Sequence, residues 1–137
     1  MAEYQESLEA IVAEFAADSG TIHTLGAPGM LHLRAATRNI PEAVLNVVRE
    51  VPVGKGMAGL CVERAAPVDA CNIQTDTSGD VRPGARATGL QGAIVVPMLD
   101  EKGAAMGALG VANFRERTFT EEEIARLVEH GRRLAAL

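Results

Sequence analysis

The residues best equipped for chemistry in this chain lie in one polar stretch, residues 72–92. Arg82, Arg86, Thr88 and Gln91 within it offer many N–H and O–H donors, enough to hold a small oxyanion or another polar molecule. The other reactive groups are two thiols. Cys61 sits among apolar residues, as a core filler would, whereas Cys71 ends an extended run and is the better candidate for a reactive thiol. They form neither a CxxC pair nor a disulfide framework. His23, His32 and His130 have no Cys or carboxylate partners at metal-ligand spacing, so each reads as a solvated or hydrogen-bonded histidine. Gly54-Lys55-Gly56-Met57-Ala58-Gly59 has the glycine density of a phosphate cradle. No Lys-Ser/Thr follows it, and the strand–loop–helix order is missing, so it reads as a turn that needs glycine's conformational freedom.

The elements that must position these groups follow from periodicity. Tyr4, Leu8, Ile11, Val12 and Phe15 recur at helical spacing and predict an amphipathic helix ended by Asp18-Ser19-Gly20. Runs at 21–25 and 31–37, joined by Gly26-Ala27-Pro28-Gly29, predict a hairpin. In the second run Leu31, Leu33, Ala35 and Thr37 alternate with His32, Arg34, Ala36 and Arg38, a half-buried strand. Pro41 opens a short helix that ends near Glu50, and a second short helix is expected at about 57–64. A third strand follows at 67–71, then the long irregular stretch. Residues 93–99 and 105–113 form a second hairpin, with Pro97 marking an edge or a bulge. Thr120 and Glu123 make a capping box, with Phe119 and Ile124 as its hydrophobic staple. The stripe Ile124, Leu127, Val128, Gly131 and Leu134 completes a C-terminal helix.

Composition narrows the function classes. With 137 residues, 47% of them hydrophobic, the chain can form one globular domain without disulfide or metal staples. A formal charge of −5 argues against binding duplex nucleic acid, which requires a basic face. No apolar run approaches the roughly 20 residues that span a bilayer, and no signal peptide is visible, so the expected location is cytosolic. The expected fold class is α+β: an antiparallel sheet with the terminal helices on one face and the irregular segments on the other.

Four segments together resemble the GAF domain, a ligand-sensing module related to the PAS fold. Val53-Gly54-Lys55-Gly56-Met57-Ala58-Gly59 with Ala66-Pro67-Val68 resembles its "G-x-G-x-x-G … x-P-V" segment. Gly92-Ala93-Ile94-Val95-Val96-Pro97-Met98 resembles its "s-x-l-x-V-P-l" strand. The run from Gly103 to Asn113 is similar to "G-x-x-i-G-v-L-x-l-x-n", and Phe119-Thr120-Glu121-Glu122-Glu123-Ile124 is similar to "F-t-e-e-d-l". The resemblance spans nearly the whole chain as a single domain, 1–137. It implies five or six antiparallel strands, and a pocket between the sheet and segments 41–64 and 72–92. Arg82, Arg86, Thr88 and Gln91 would then be the binding set, with Thr37, Met57 and Cys71 as walls.

Particular GAF chemistries can be weighed residue by residue. Cyclic-nucleotide binders carry Asn-Lys … Phe-x3-Asp-Glu. Asn113 and Phe119 fit, but Phe114 replaces the Lys and Glu123-Ile124 replaces the acidic pair. The GAF-fold enzymes that reduce free methionine sulfoxide need two cysteines, and here Ala58 stands at the first position while nothing in 84–92 supplies the second. Bilin and haem binding lack their Cys-His pair, aromatic walls or axial ligand, so no cofactor is assigned. The expectation is a non-enzymatic, homodimeric sensor of a small polar or anionic effector, free-standing and passing its output to a separate protein. No nucleic-acid or membrane partner is expected. An interaction module without a ligand and a thiol-dependent reductase are the alternatives. Tyr4, Leu8, Leu134 and Leu137 are candidates for a dimer seam, or for packing on the domain's own sheet.

Overall fold

A computed structural model describes residues 2–81, 86 and 88–137. Along the chain run α1 (Ala2–Glu14), β1 (Ser19–Gly26), β2 (Met30–Ala36), α2 (Glu42–Val48), β3 (Glu50–Pro52), α3 (Gly56–Arg64), β4 (Val68–Ala70), β5 (Ala93–Leu99), β6 (Ala105–Ala112) and α4 (Glu121–Ala135). The strands form one six-stranded sheet in the order β3-β2-β1-β6-β5-β4, with every pairing antiparallel. The α+β architecture expected from the sequence is the one observed.

The terminal helices cover one face of the sheet, here called the helical face. Ile22, Ile94, Val96, Met98, Leu109 and Val111 point into it and pack against Leu8, Ile11, Phe15, Leu127 and Leu134. Leu8 and Leu134 are thus consumed by the domain's own core and are not available to a dimer seam, whereas Leu137 is 55% exposed. The capping box of α4 is complete: Thr120 Oγ1 accepts from the Glu123 N–H at 3.1 Å, and Glu123 Oε1 accepts from the Thr120 N–H at 2.9 Å. Phe119 is buried and Ile124 packs on the same cluster, as a staple requires. Gly131 lets α4 lie close against β5, since a Cβ there would stand 2.8 Å from the Pro97 carbonyl oxygen.

Three details differ from the sequence reading. Ser19 and Gly20 belong to β1 instead of ending the first helix. A short strand, β3, follows α2 and pairs with β2. The alternation in β2 is also broken. His23 pairs with Leu33 while Ile22 pairs with Ala35, so Arg34 is an extra residue in a bulge. Leu31 and Leu33 therefore face away from the terminal helices, while Ala35 faces them. Pro97 lies where the register of β5 with β6 shifts, beyond the last residue paired with β4, so it marks both an edge and a bulge.

The glycine-rich segment is a turn. Gly54 and Gly56 have φ values of 91° and 66°, in the left-handed region. At Gly59 a Cβ would lie 2.4 Å from the Pro52 carbonyl oxygen, so a glycine there lets α3 pack against β3.

Candidate functional site

The face of the sheet opposite the terminal helices carries smaller side chains, and the contrast is sharpest along β6. Leu109 and Val111 fill the helical face, whereas Ala108, Gly110 and Ala112 line the far face. Register extends the pattern across the sheet: Thr21 stands opposite Gly110 and Ala36, His23 opposite Ala108, and Val95 opposite Gly110. The cover over this floor comes from α2, α3 and residues 72–81 and 88–91. Met57 packs with Ile73, Val81 and Leu90 over Ala70, Ala93 and Ala112. Over β1 and β2 the cover is thinner: α2 has no buried residue, and Val44, Leu45 and Val48 are only half-buried.

Beneath α2 lies His23, 3% exposed. Its Nε2 stands 2.8 Å from the carbonyl oxygen of Val48, the last residue of α2. A carbonyl can only accept, so Nε2 carries the proton. Nδ1 is buried and has no hydrogen-bond partner among the described residues. Burial pushes the imidazole below its usual pKa, an effect the Val48 bond only partly opposes. The ring is therefore neutral at pH 7, with Nδ1 a bare acceptor. From sequence alone His23 reads as an ordinary strand histidine. Its shared parity with Thr21 and Leu25, opposite to Ile22, was the available signal.

The residues expected to bind a ligand fall into separate environments. Arg86 is exposed and serves its own loop: Nε donates to the Ile73 carbonyl at 3.3 Å and Nη2 to the Asp76 carbonyl at 2.9 Å. Gln74 returns the favour by donating to the carbonyls of Leu90 and Arg86 at 2.7 and 3.1 Å, so the two limbs of the loop are stapled together. Thr88 accepts from the Leu90 N–H at 3.0 Å. Gln91, half-buried, donates to the Phe114 carbonyl at 3.2 Å. Thr37 accepts from the Gly20 N–H at 3.2 Å and donates to Asn39 Oδ1 at 2.7 Å, closing the end of the β1–β2 pair. Met57 belongs to the cover of the far face. Cys71 is exposed, and its Sγ accepts from the Thr118 hydroxyl at 3.6 Å. Arg82 lies outside the described residues. Cys61 is fully buried in α3, where burial pushes its thiol up to about 12.

Asn113, singled out by the cyclic-nucleotide resemblance, is structural. It is 1% exposed and donates to the Ala16 carbonyl at 2.9 Å and to Asp18 Oδ2 at 3.3 Å, while its Oδ1 accepts from Arg117 Nη1 at 2.8 Å. Arg117 Nη2 then pairs with Glu123 Oε2 at 2.7 Å. The outer surface of α1 and α4 holds a shallow depression, but its charges are mutually engaged: Glu14 with Arg126 and His130, and His130 with Arg133. Among the described residues no group of three or more His, Cys, Asp or Glu could hold a metal ion, and no helix is long and apolar enough to cross a membrane.

No curated protein matches the chain in sequence. Solved structures do match in fold. The GAF domain of a phosphoenolpyruvate-protein phosphotransferase from Coxiella burnetii is 22% identical, with a TM-score of 0.79 over 97% of this chain and 78% of that one. A free methionine-R-sulfoxide reductase from Neisseria meningitidis, solved with its substrate, is 18% identical, with a TM-score of 0.78 over 98% and 75%. NreA of Staphylococcus aureus, mutated in its nitrate binding site, is 20% identical, with a TM-score of 0.72 over 90% and 92%. The fold is thus common to a GAF domain, an enzyme and a nitrate-binding protein, and likeness alone does not separate them. The sequence model of the GAF domain matches residues 3–136, so this chain belongs to the GAF domain family.

Proposed function

We propose that this GAF domain is a non-enzymatic sensor that holds a small polar effector between the far face of its sheet and the cover formed by α2, α3 and residues 72–81 and 88–91. The observation that carries this reading is the difference between the two faces. One sheet presents Leu109 and Val111 to the terminal helices but Ala108, Gly110 and Ala112 to the other side, and α2, the cover over the β1–β2 end of that side, buries none of its residues. Small side chains on the face that carries the thinner cover suit a bound small molecule.

The thiol chemistry supports a binding role over a reductase one. Cys61 is buried with a raised pKa, the reverse of an activated nucleophile, and Cys71 is a lone exposed thiol. An uncharged polar effector has more support than an anion, because Arg86 already donates from Nε and Nη2 to the carbonyls of Ile73 and Asp76. Homodimerisation, a cytosolic location and output through a partner protein are parts of the same proposal.

The test is a thermal-shift screen of small metabolites against the wild type and Ala36→Leu, which adds volume on the far face beside Thr21. A ligand at 100 times its Kd adds about 2.7 kcal/mol, a rise in Tm of roughly 8–10 °C for a domain of this size. A hit that Ala36→Leu abolishes supports the reading. A hit that Ala36→Leu leaves untouched refutes this location, and a screen without hits refutes the sensor.

A further inference from the structure

We propose that His23 is a ligand-binding residue that accepts a hydrogen bond from the effector through Nδ1, so the effector carries an N–H or O–H donor, as an amide, alcohol or amine does. The proposal rests on the reading that the far face holds a small molecule, and it specifies the chemistry of that molecule.

The argument is one of exclusion at a single ring. The Val48 carbonyl fixes which nitrogen is protonated, because an oxygen without a hydrogen cannot serve as donor at 2.8 Å. Nδ1 is thereby left as an acceptor, and a buried acceptor without a donor is uncommon in folded proteins. Among the described residues no side chain repairs the deficit. The cross-strand neighbours of His23 are Leu33 and Ala108, which have no side-chain donor. Thr21, two residues along the same face, has a hydroxyl with no hydrogen-bond partner among the described residues, and it stands opposite Gly110. The floor thus combines one obligate acceptor, one adaptable hydroxyl and two positions, Ala108 and Gly110, that contribute almost no side-chain volume.

A bare anion does not suit this arrangement. Nitrate or a carboxylate would bring lone pairs toward the lone pair of Nδ1, and binding would require protonating a ring whose burial opposes charge. A donor-bearing ligand needs no such change. Its bond to Nδ1 would also polarise the Nε2–H that ties the end of α2, so occupancy and the seating of α2 are coupled through one imidazole.

Acetamide and acetate form a decisive pair of probes, nearly equal in size and shape but with N–H donors on the amide only. The readout is long-range 1H–15N correlation of the His23 ring in the 15N-labelled wild-type protein, alongside its backbone amide spectrum. The expected result is a neutral ring protonated on Nε2, with an Nδ1 resonance that acetamide moves saturably without protonating the nitrogen and that acetate leaves in place. His23→Phe should weaken acetamide about tenfold or more, while the wild-type measurement stands even where that variant does not fold. Four results would overturn the proposal: Nδ1 protonated in the free protein, an acetate response equal to that of acetamide, an Nδ1 already hydrogen-bonded to resident water and unmoved by either probe, or neither probe moving it. If acetate shifts the amides of Thr21, Ala36 and Ala108 without touching Nδ1, the far-face site survives and the role of His23 falls. If neither probe shifts those amides, the far-face reading falls with it.

Discussion

Replacing Arg117 by Met should destabilise the domain by about 2–4 kcal/mol, far more than removal of a surface arginine. The Arg117 side chain is only 10% exposed. It closes a chain of contacts, Asp18 to Asn113 to Arg117 to Glu123, that ties the start of β1 and the end of β6 to the first turn of α4. Its guanidinium also lies 4.2 Å from the centroid of the Phe119 ring. Met would fill much of the volume and satisfy none of these contacts. Asn113 Oδ1 would be left buried without a donor, costing about 1–3 kcal/mol. The lost cation–π contact adds about 1 kcal/mol, and the partly buried ion pair with Glu123 adds up to about 1 kcal/mol more.

The assay is urea unfolding of wild type and variant, compared through the midpoint at constant m-value. The matching shift in Tm is roughly 6–15 °C. Arg49→Met is the control. Arg49 pairs with Glu42 at 3.1 Å, but the two side chains are 60% and 72% exposed, so its loss should cost at most about 1 kcal/mol. A double mutant completes the argument: Asn113→Ala should cost less in the Arg117→Met background than in the wild type, because the two residues share one contact. If Arg117→Met costs no more than Arg49→Met, or if the Asn113 and Arg117 effects are additive, the chain of contacts is not what couples the sheet to α4.

Two further predictions concern titration and reactivity. The carboxyl of Glu123 lies below its usual 4.5, chiefly because the Thr120 N–H holds the ionised form, with help from Arg117. Its stabilising effect is therefore present above pH 4.5 and lost as pH falls through the lower folded-state value, so acid should lower the urea midpoint less in Glu123→Gln than in the wild type between pH 5 and 3; parallel curves would count against it. A thiol reagent should titrate one cysteine, Cys71, in the native protein and both in denaturant, since Cys61 is fully buried; fast reaction of two thiols in the folded state would contradict that burial.

What the sequence revealed was what neighbouring residues decide. The capping box at Thr120, the turn at Gly54–Gly59 and the apolar stripe of α4 depend on spacings of a few residues, and all three stand in the structure. What it concealed depends on partners far along the chain. The bulge at Arg34 is visible only once β1 is laid beside β2, because it is the pairing of His23 with Leu33 that reverses the faces. The three-residue β3 is too short for periodicity and owes its existence to β2. Arg86 has the right chemistry for an anion, but two of its N–H groups already donate to the carbonyls of Ile73 and Asp76, 13 and 10 residues away.

Asn113 and His23 show how the same limit applied to the candidate site. Asn113 carried the look of a ligand residue because its sequence context matches a binding motif, yet its amide bonds to Ala16 and Asp18, 97 and 95 residues earlier. Once those bonds exist, its donors are committed and its role is to hold β6 against the exit of α1. His23 runs the other way. Nothing beside it in sequence marks it, and its importance arises because α2, 25 residues later, delivers a carbonyl to one ring nitrogen and nothing to the other. A polar side chain that the fold fully satisfies becomes architecture. Among the described residues His23 is the buried side chain on the far face of this sheet that the fold satisfies only on one side, and the proposed ligand contact rests on that.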